Sequence, residues 1–156
     1  MNPITIRQAG AEDAAAISAL VQEVASGFLL NEFSEEGKQH FLRAIKPDAI
    51  AGYLDGDFVY FLAESGDELA GLIAMRDFRH LYHLFVRAGF HGKGIARSLW
   101  EHARAQCLIA GNPGEFTVNS SAYALAVYRK WGFKQTGPPF EKSGIVSTPM
   151  LWREQK

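Results

Sequence analysis

A single cysteine, Cys107, is all the thiol that the 156 residues contain. That excludes an intramolecular disulfide and any multi-thiolate metal site. Long apolar runs are missing as well, and no stretch approaches the ~18 residues that cross a membrane as a helix. The opening "MNPITIRQAG" has no basic segment followed by an apolar run, so no signal peptide is expected. Neither sign of charge dominates: 16 Lys and Arg stand against 17 Asp and Glu, a formal net charge of −1. Modules that grip nucleic acid carry a strong basic excess, so nucleic acid is not expected as a main target. No repeat, low-complexity tract or long linker divides the chain. With 47% hydrophobic residues, the material suffices for one real core. One domain over residues 1–156, without a membrane partner and cytoplasmic, is the expectation.

What is present alternates between helical and strand periods. "ITIR" (4–7) reads as a short strand, and Ile17, Leu20, Val21 and Val24 share one face of a helix from Glu12 to about Val24. Ser34, followed by acidic residues, has the character of an N-cap for a second helix. "KPDAIAGYL" suggests a third, with Pro47 in its first turn. "DFVYFLAES" and "ELAGLIAMRD" are β-rich runs joined by Gly-Asp, a hairpin signal. "HLYHLFV" (80–86) continues as a strand. Ile95, Leu99, Ala103 and Cys107 then recur every four residues on a helix from about Gly94 to Ala110, which makes Cys107 a core thiol. "EFTVN" reads as a strand, "SAYALAVYRKW" as a helix stopped by Gly132, and "GIVSTPMLW" as a last strand in which Pro149 argues for an edge or a bulge. The order describes an α/β (α+β) sandwich, antiparallel early and with a parallel crossover later.

Between the third strand and its helix lies "RAGFHGKGIARSLW" (87–100), with Gly89, Gly92 and Gly94 in close succession. A P-loop needs G-x-x-x-x-G-K-[ST], whereas Lys93 is followed by Gly94. A dinucleotide fingerprint reads G-x-G-x-x-G, and the spacing here is the reverse, with no βαβ unit before it. Two readings remain on spacing alone. The loop is an anion cradle of exposed backbone N–H groups opening into a helix N-terminus, or it is a glycine-rich turn without a ligand.

"LFVRAGFHGKGIARSLW" resembles the acetyl-CoA-binding segment of the GNAT superfamily of N-acetyltransferases, whose core is [QR]-x-x-G-x-[GA]. That core falls on His91, Gly92, Lys93, Gly94, Ile95 and Ala96. "FTVNSSAYALAVYRKWGF" is similar to the family's next strand–helix unit, with Asn119 at the strand end and a Y-x-x-x-G-F ending on Tyr128, Gly132 and Phe133. The strand order agrees as well, so the resemblance covers nearly the whole chain. It implies a mixed, mostly antiparallel sheet of six to seven strands, flanked by helices and splayed between two central strands. It also implies acetyl-CoA as co-substrate and transfer of its acetyl group to a primary amine of a small molecule or peptide by direct attack. Pantetheine would pair with the strand at Leu84, Phe85 and Val86, and pyrophosphate would sit on the amides of residues 91 to 96. A backbone N–H near Val86 would polarise the thioester carbonyl. One position departs from the pattern: His91 stands where the family has Gln or Arg, so the role of that side chain is open.

Catalytic assignments follow from the same resemblance. Tyr128 matches the family's general acid to the leaving thiolate, the alternative being a core tyrosine beside Leu125, Val127 and Trp131. His80, sharing a strand face with Tyr82, matches positions where the family places a base, and an imidazole suits that task near neutrality. Its alternative is an ordinary strand-end histidine. Asn119 either contacts CoA or acceptor, or caps the next helix. His80 and His83 fall on opposite faces of a regular strand, which argues against a shared metal ion unless a bulge intervenes. The acceptor site falls to Ser26–Leu54, with Phe28, Phe33 and Phe41 as pocket or core, and to the segment Pro138–Pro149. A non-catalytic acyl-CoA-binding regulatory module and a nucleotide-binding domain unrelated to CoA remain as alternatives, and a homodimer partner stays open.

Overall fold

The computed structural model describes residues 3–27 and 29–155. Strand β1 (Ile4–Gln8) leads through one 3-10 turn into helix α1 (Ala14–Gly27), then α2 (Glu35–Ala44) and α3 (Pro47–Asp55). Strands β2 (Phe58–Ser65), β3 (Glu68–Arg76) and β4 (His80–Val86) follow, then α4 (Ile95–Ile109), β5 (Glu115–Ser120) and α5 (Leu125–Lys130). Three strands end the chain: β6 (Lys134–Gln135), β7 (Phe140–Lys142) and β8 (Ile145–Arg153). The sheet order is β1-β2-β3-β4-β5-β8-β6, with β7 on the other end of β8. Every pairing is antiparallel except β4–β5. The expected mixed, mostly antiparallel sheet flanked by helices is present, and it has eight strands because β6 and β7 fold back beside β8. No helix among the described residues is long and apolar enough to cross a membrane.

Local chemistry sets the element ends. Ser34 Oγ accepts from the Gly37 N–H at 3.1 Å and starts α2, and Pro47 occupies the first turn of α3. Val59–Ala63 and Ala70–Met75 are buried residue after residue because helices cover both faces of β2 and β3. Tyr60, Leu62, Leu72 and Ala74 face α1 and α3. Phe61, Ile73 and Met75 face α4 through Ile95, Leu99, Ala103 and Cys107. Cys107 is fully buried, and burial pushes its thiol up to about 11, so it stays a protonated core side chain.

Two expectations change. The helix read over "SAYALAVYRKW" is regular only from Leu125 to Lys130, because Ser121 Oγ accepts the Ala124 N–H at 3.1 Å and turns the chain first. Pro149 lies not on an edge strand but opposite an irregularity, where five steps on the partner side (Gln135 to Phe140) face three on β8 (Met150 to Ser147). Strand β8 is interior, pairing β5 on one side and β6 and β7 on the other. Partners on that second side cover Ile145–Ser147 and Met150–Leu151, and Pro149 falls between them, where its missing N–H breaks no ladder. Its carbonyl still accepts from Thr136 N at 3.0 Å.

Gly71 on β3 fixes how closely β4 approaches. A Cβ there would stand 2.8 Å from the Phe85 carbonyl oxygen and 3.0 Å from Val86 Cγ2. Gly71→Ala is therefore expected to push the end of β4 outward and destabilise the protein by about 1–3 kcal/mol. Gly89→Ala, where nothing lies within 4 Å of the added carbon, is expected to stay within about 0.5 kcal/mol. Urea unfolding of the two variants checks the contrast, and equal midpoints would show that β4 relaxes without cost.

Candidate active site

The site begins with one surplus residue. Ala74 pairs with His83 and Met75 with Leu81, so Tyr82 is a bulge without a partner on β3. On either side of it the strand presents its edges differently. The Arg79 carbonyl accepts from Thr117 N of β5 at 3.1 Å, so before the bulge odd-numbered residues address β5. Arg87 N donates to Ala70 O at 2.8 Å, so beyond it odd-numbered residues address β3. The backbone groups of Leu84 and Val86 consequently turn the other way, toward β5. Yet β5 is no longer alongside. Parallel pairing is limited to His80–Thr117 and Leu81–Val118, and the two strands part beyond it. This is the splay between central strands, and it leaves polar backbone facing open space.

At the far end of β4 the glycine loop delivers the chain into α4. Gly92 and Gly94 have φ of +78° and +75°, the left-handed region, and open space surrounds the Cβ position of each. Gly94 is the N-cap and offers no side chain, so the N–H groups of Ile95, Ala96 and Arg97 have no acceptor among the described residues. The side chain of His91 is committed elsewhere. Its Nε2 lies 2.8 Å from the Val86 carbonyl, which can only accept, so the ring donates to it. The histidine that replaces Gln or Arg thus ties the loop back to the free edge of β4.

Gap and loop are parts of one cleft of about 910 Å³. Its walls include the predicted residues His80, Leu84, Phe85, Val86, His91, Gly92, Gly94, Ile95, Ala96, Asn119 and Tyr128. Lys93 does not line it, and its ammonium stands 5.8 Å from the Phe90 ring centroid. Asn119 is exposed on the cleft wall and is not the cap of α5, since Ser121 makes that turn. Among the described residues six large hydrophobic side chains are exposed, and Tyr123, Val127, Phe140 and Val146 are four of them that border this cleft. That concentration marks a binding surface.

The bulge also rearranges the histidines. Because Tyr82 is inserted, His80, Tyr82 and His83 all address the α1–α3 face, not the opposite faces expected of His80 and His83 on a regular strand. Among the described residues no three His, Cys, Asp or Glu side chains cluster to hold a metal ion. His80 Nδ1 shares a hydrogen bond of 2.8 Å with Thr117 Oγ1, and His83 Nδ1 one of 3.1 Å with the Tyr60 hydroxyl. Burial, assisted by the Arg76 and Arg79 charges, holds His80 down at about 4. Burial alone holds His83 at about 3. Both imidazoles are neutral at pH 7, which differs from a base titrating near neutrality. Tyr128 is 6% exposed, its ring packs on Phe133 and Trp131 at centroid distances of 5.3 and 5.8 Å, and burial raises its pKa. Its hydroxyl has no hydrogen-bond partner among the described residues.

The other half of the cleft comes from segments without a motif. Phe33 and Phe41 do line it, with ring centroids 5.6 Å apart, whereas Phe28 lies outside the described residues. Ser34 Oγ donates to the Gly144 carbonyl at 3.1 Å, strapping the start of α2 to the β7–β8 hairpin across the cleft mouth. A Cβ on Gly37 would collide with that same carbonyl, so glycine is what lets the two segments touch. Arg76, His40 and Lys142 also line the cleft. His40 and Lys142 fall in the two segments expected to shape the acceptor site, whereas Arg76 was missed, and parity along "LIAMR" is the only signal that would have placed it on the Tyr82 face.

Comparison with known proteins agrees with this geometry. The sequence matches the family model described as "Acetyltransferase (GNAT) domain" over residues 29–154. Among solved structures, a GCN5-related N-acetyltransferase from Rhodopseudomonas palustris superposes with a TM-score of 0.84 at 20% identity, covering 99% of this chain and 98% of that one. The PaiA N-acetyltransferase from Thermoplasma acidophilum, solved in complex with coenzyme A, gives a TM-score of 0.82 at 18% identity, with coverages of 97% and 99%. Apo YjaB from Escherichia coli gives 0.69 at 22% identity, covering 97% of each chain. No curated protein sequence matches significantly. The family match extends from the strapped α2 segment through the splayed strands to β8, and on it the chain belongs to the GNAT acetyltransferase family.

Proposed function

We propose that the protein transfers the acetyl group of acetyl-CoA to a primary amine by direct attack. One observation carries the reading: unpartnered N–H groups at the start of α4 and the open edge of β4 border the same cleft as Tyr128 and His80. The glycine loop fits a pyrophosphate, because Gly92 and Gly94 leave the backbone bare and the α4 N-terminus favours negative charge. The open edge at Leu84 and the Val86 N–H fits an amide-bearing arm that pairs as an extra strand would, the Val86 carbonyl being already bonded to His91. Acetyl-CoA, when bound there, supplies an acyl group activated as a thioester.

The chain's own groups divide the remaining work. The N–H groups of Leu84 and Val86, turned into the gap, stand where negative charge on an acyl oxygen is stabilised. As the C–N bond forms and the C–S bond breaks, one proton leaves the amine nitrogen and one reaches the sulfur. Tyr128 donates the second, and its raised pKa keeps the hydroxyl protonated until then. For His80 to accept the first, its ring proton must lie on Nδ1, donated to Thr117 Oγ1, with the Nε2 lone pair left free. An imidazole held at about 4 cannot strip a free ammonium ion, so the acceptor enters as the neutral amine.

Calorimetric binding of acetyl-CoA, with release of free CoA only when an amine is present, tests the reading. Binding without release would leave an acyl-CoA-binding module. Tyr128→Phe is expected to keep the fold and the acetyl-CoA affinity, since the hydroxyl it removes bonds to no described residue. Turnover is expected to fall by roughly 10²-fold or more, in kcat and kcat/KM together. Normal turnover by that variant would make Tyr128 a core residue.

The pH profile supplies a second check. His80 is already neutral above about pH 5 in the free enzyme because its pKa is about 4, so it sets no limb between pH 6 and 7. The limb in kcat/KM is instead expected at the pKa of the acceptor's ammonium, between about 8 and 10 for ordinary amines. Below it, kcat/KM rises about tenfold per pH unit, and the break moves when an amine of different pKa is used. A break between pH 6 and 7 that ignores the acceptor would contradict the neutral His80.

A further inference from the structure

The charge lining the cleft is one-sided, although the chain's net charge is only −1. Of 17 acidic residues, all among the described residues, none lines the cleft, while Arg76, Arg97, Lys130 and Lys142 do. Arg97 belongs to the α4 end and is paired with Glu101 at 3.0 Å. Arg76 stands at the opposite end of β4, in register with His80. Six residue steps along β4, roughly 20 Å at ~3.3 Å per residue, separate it from the glycine loop. It is therefore out of reach of the loop that fits the pyrophosphate. Arg7, Arg79, Arg87 and Arg153 are each held by a carboxylate. Arg76 forms no ion pair among the described residues. Two positions on from Ala74, it shares the face of Tyr82, and its charge acts on both His80 and Tyr82. Farther along the same cleft wall, past Tyr82 and His83, stand the rings of a box, with Phe41 6.5 Å from His83, 5.6 Å from Phe33 and 6.5 Å from Phe85.

A cation without a counter-ion, an aromatic box and neutral imidazoles form a pocket suited to an anionic, apolar amine. Polycationic acceptors are disfavoured. A polyamine or aminoglycoside keeps further ammonium groups after one amine is deprotonated, and these would face Arg76 and Lys142 with no carboxylate to receive them. A carboxylate vicinal to the amine would instead meet the planar guanidinium of Arg76 and place the amine beside His80. We propose that the acceptor is a free amino acid with an aromatic or branched apolar side chain, its carboxylate on Arg76 and its side chain against Phe33, Phe41 and Phe85. This rests on the acetyl-transfer reading above.

The test compares L-phenylalanine, L-leucine, 2-phenylethylamine, L-phenylalaninamide and spermidine as acceptors at pH 8, each corrected for its fraction of neutral amine. In parallel, calorimetry measures binding of the same compounds to the CoA-bound protein. L-phenylalanine or L-leucine is expected to exceed the amide, the decarboxylated amine and spermidine by about tenfold or more in kcat/KM. Arg76→Gln is expected to lower kcat/KM for the amino acid at least about tenfold further than for 2-phenylethylamine, mainly through KM, with Arg76→Lys recovering part of the loss. A preference for spermidine or 2-phenylethylamine, or an equal effect of Arg76→Gln on both classes, overturns the proposal while acetyl transfer stands. Carboxylate-dependent binding to the CoA-bound protein without turnover of any amine would do the reverse. Neither binding nor turnover of the amino acids would also overturn it.

Discussion

At Tyr82 the β3–β4 ladder carries one residue too many, and the geometry of the cleft follows from it. The insertion reverses which backbone groups of β4 point toward β5, so that Leu84 and Val86 address the gap. It also brings Tyr82 and His83 to the same face as His80. Without it, regular alternation would send His83 into the α4 core. The parting of β4 from β5 beyond Leu81 and Val118 then gives those backbone groups a space to address. Gly71 underpins the arrangement from behind, since only a residue without a side chain lets β3 lie so close to Phe85 and Val86.

Electrostatics divides the protein in a way that net charge conceals. Carboxylates sit in ion pairs away from the cleft, such as the part-buried Arg7–Asp13 and the exposed Arg79–Glu115, while the cleft holds cations and imidazoles. Desolvation dominates the histidines there and keeps them neutral. A ring that must receive a proton only briefly is better neutral than charged, and Arg76 and Arg79 reinforce this at His80. Tyr128 is treated in the same way, with burial holding its hydroxyl protonated. Both groups begin in the protonation state that their proposed steps require.

The two ends of the cleft differ in how they are built, and that explains what could be read in advance. The α4 end is local: Gly92, Gly94 and the helix after them are contiguous, so their spacing carries the information. The acceptor end is assembled from residues more than a hundred positions apart, as the bond from Ser34 to the Gly144 carbonyl shows. Phe33, Phe41, Arg76 and Lys142 have no common spacing, and only the closing of α2 onto the β7–β8 hairpin makes them neighbours. The helical periods of α1 and α4 and the strand runs of β2, β3 and β4 were legible for the same reason as the glycine loop. The two-residue β6 and the three-residue β7 were not, because they have no pattern apart from the partner they pair with.

The sequence by itself determined the order of the longer helices and strands, the hairpin at Gly66-Asp67 and the buried character of Cys107, and it narrowed the glycine loop to an anion cradle or a ligand-free turn. Each depends on periodicity or on the backbone freedom of glycine, which neighbouring residues settle among themselves. Tertiary structure alone decided where β4 bulges, where β5 leaves it, that Pro149 lies inside the sheet, and that His91 bonds to the Val86 carbonyl. It also decided the ionisation of His80, since a histidine pKa reflects the solvent removed from around it and the charges brought beside it. Those quantities exist only once β3, β4 and β5 have come together around the ring.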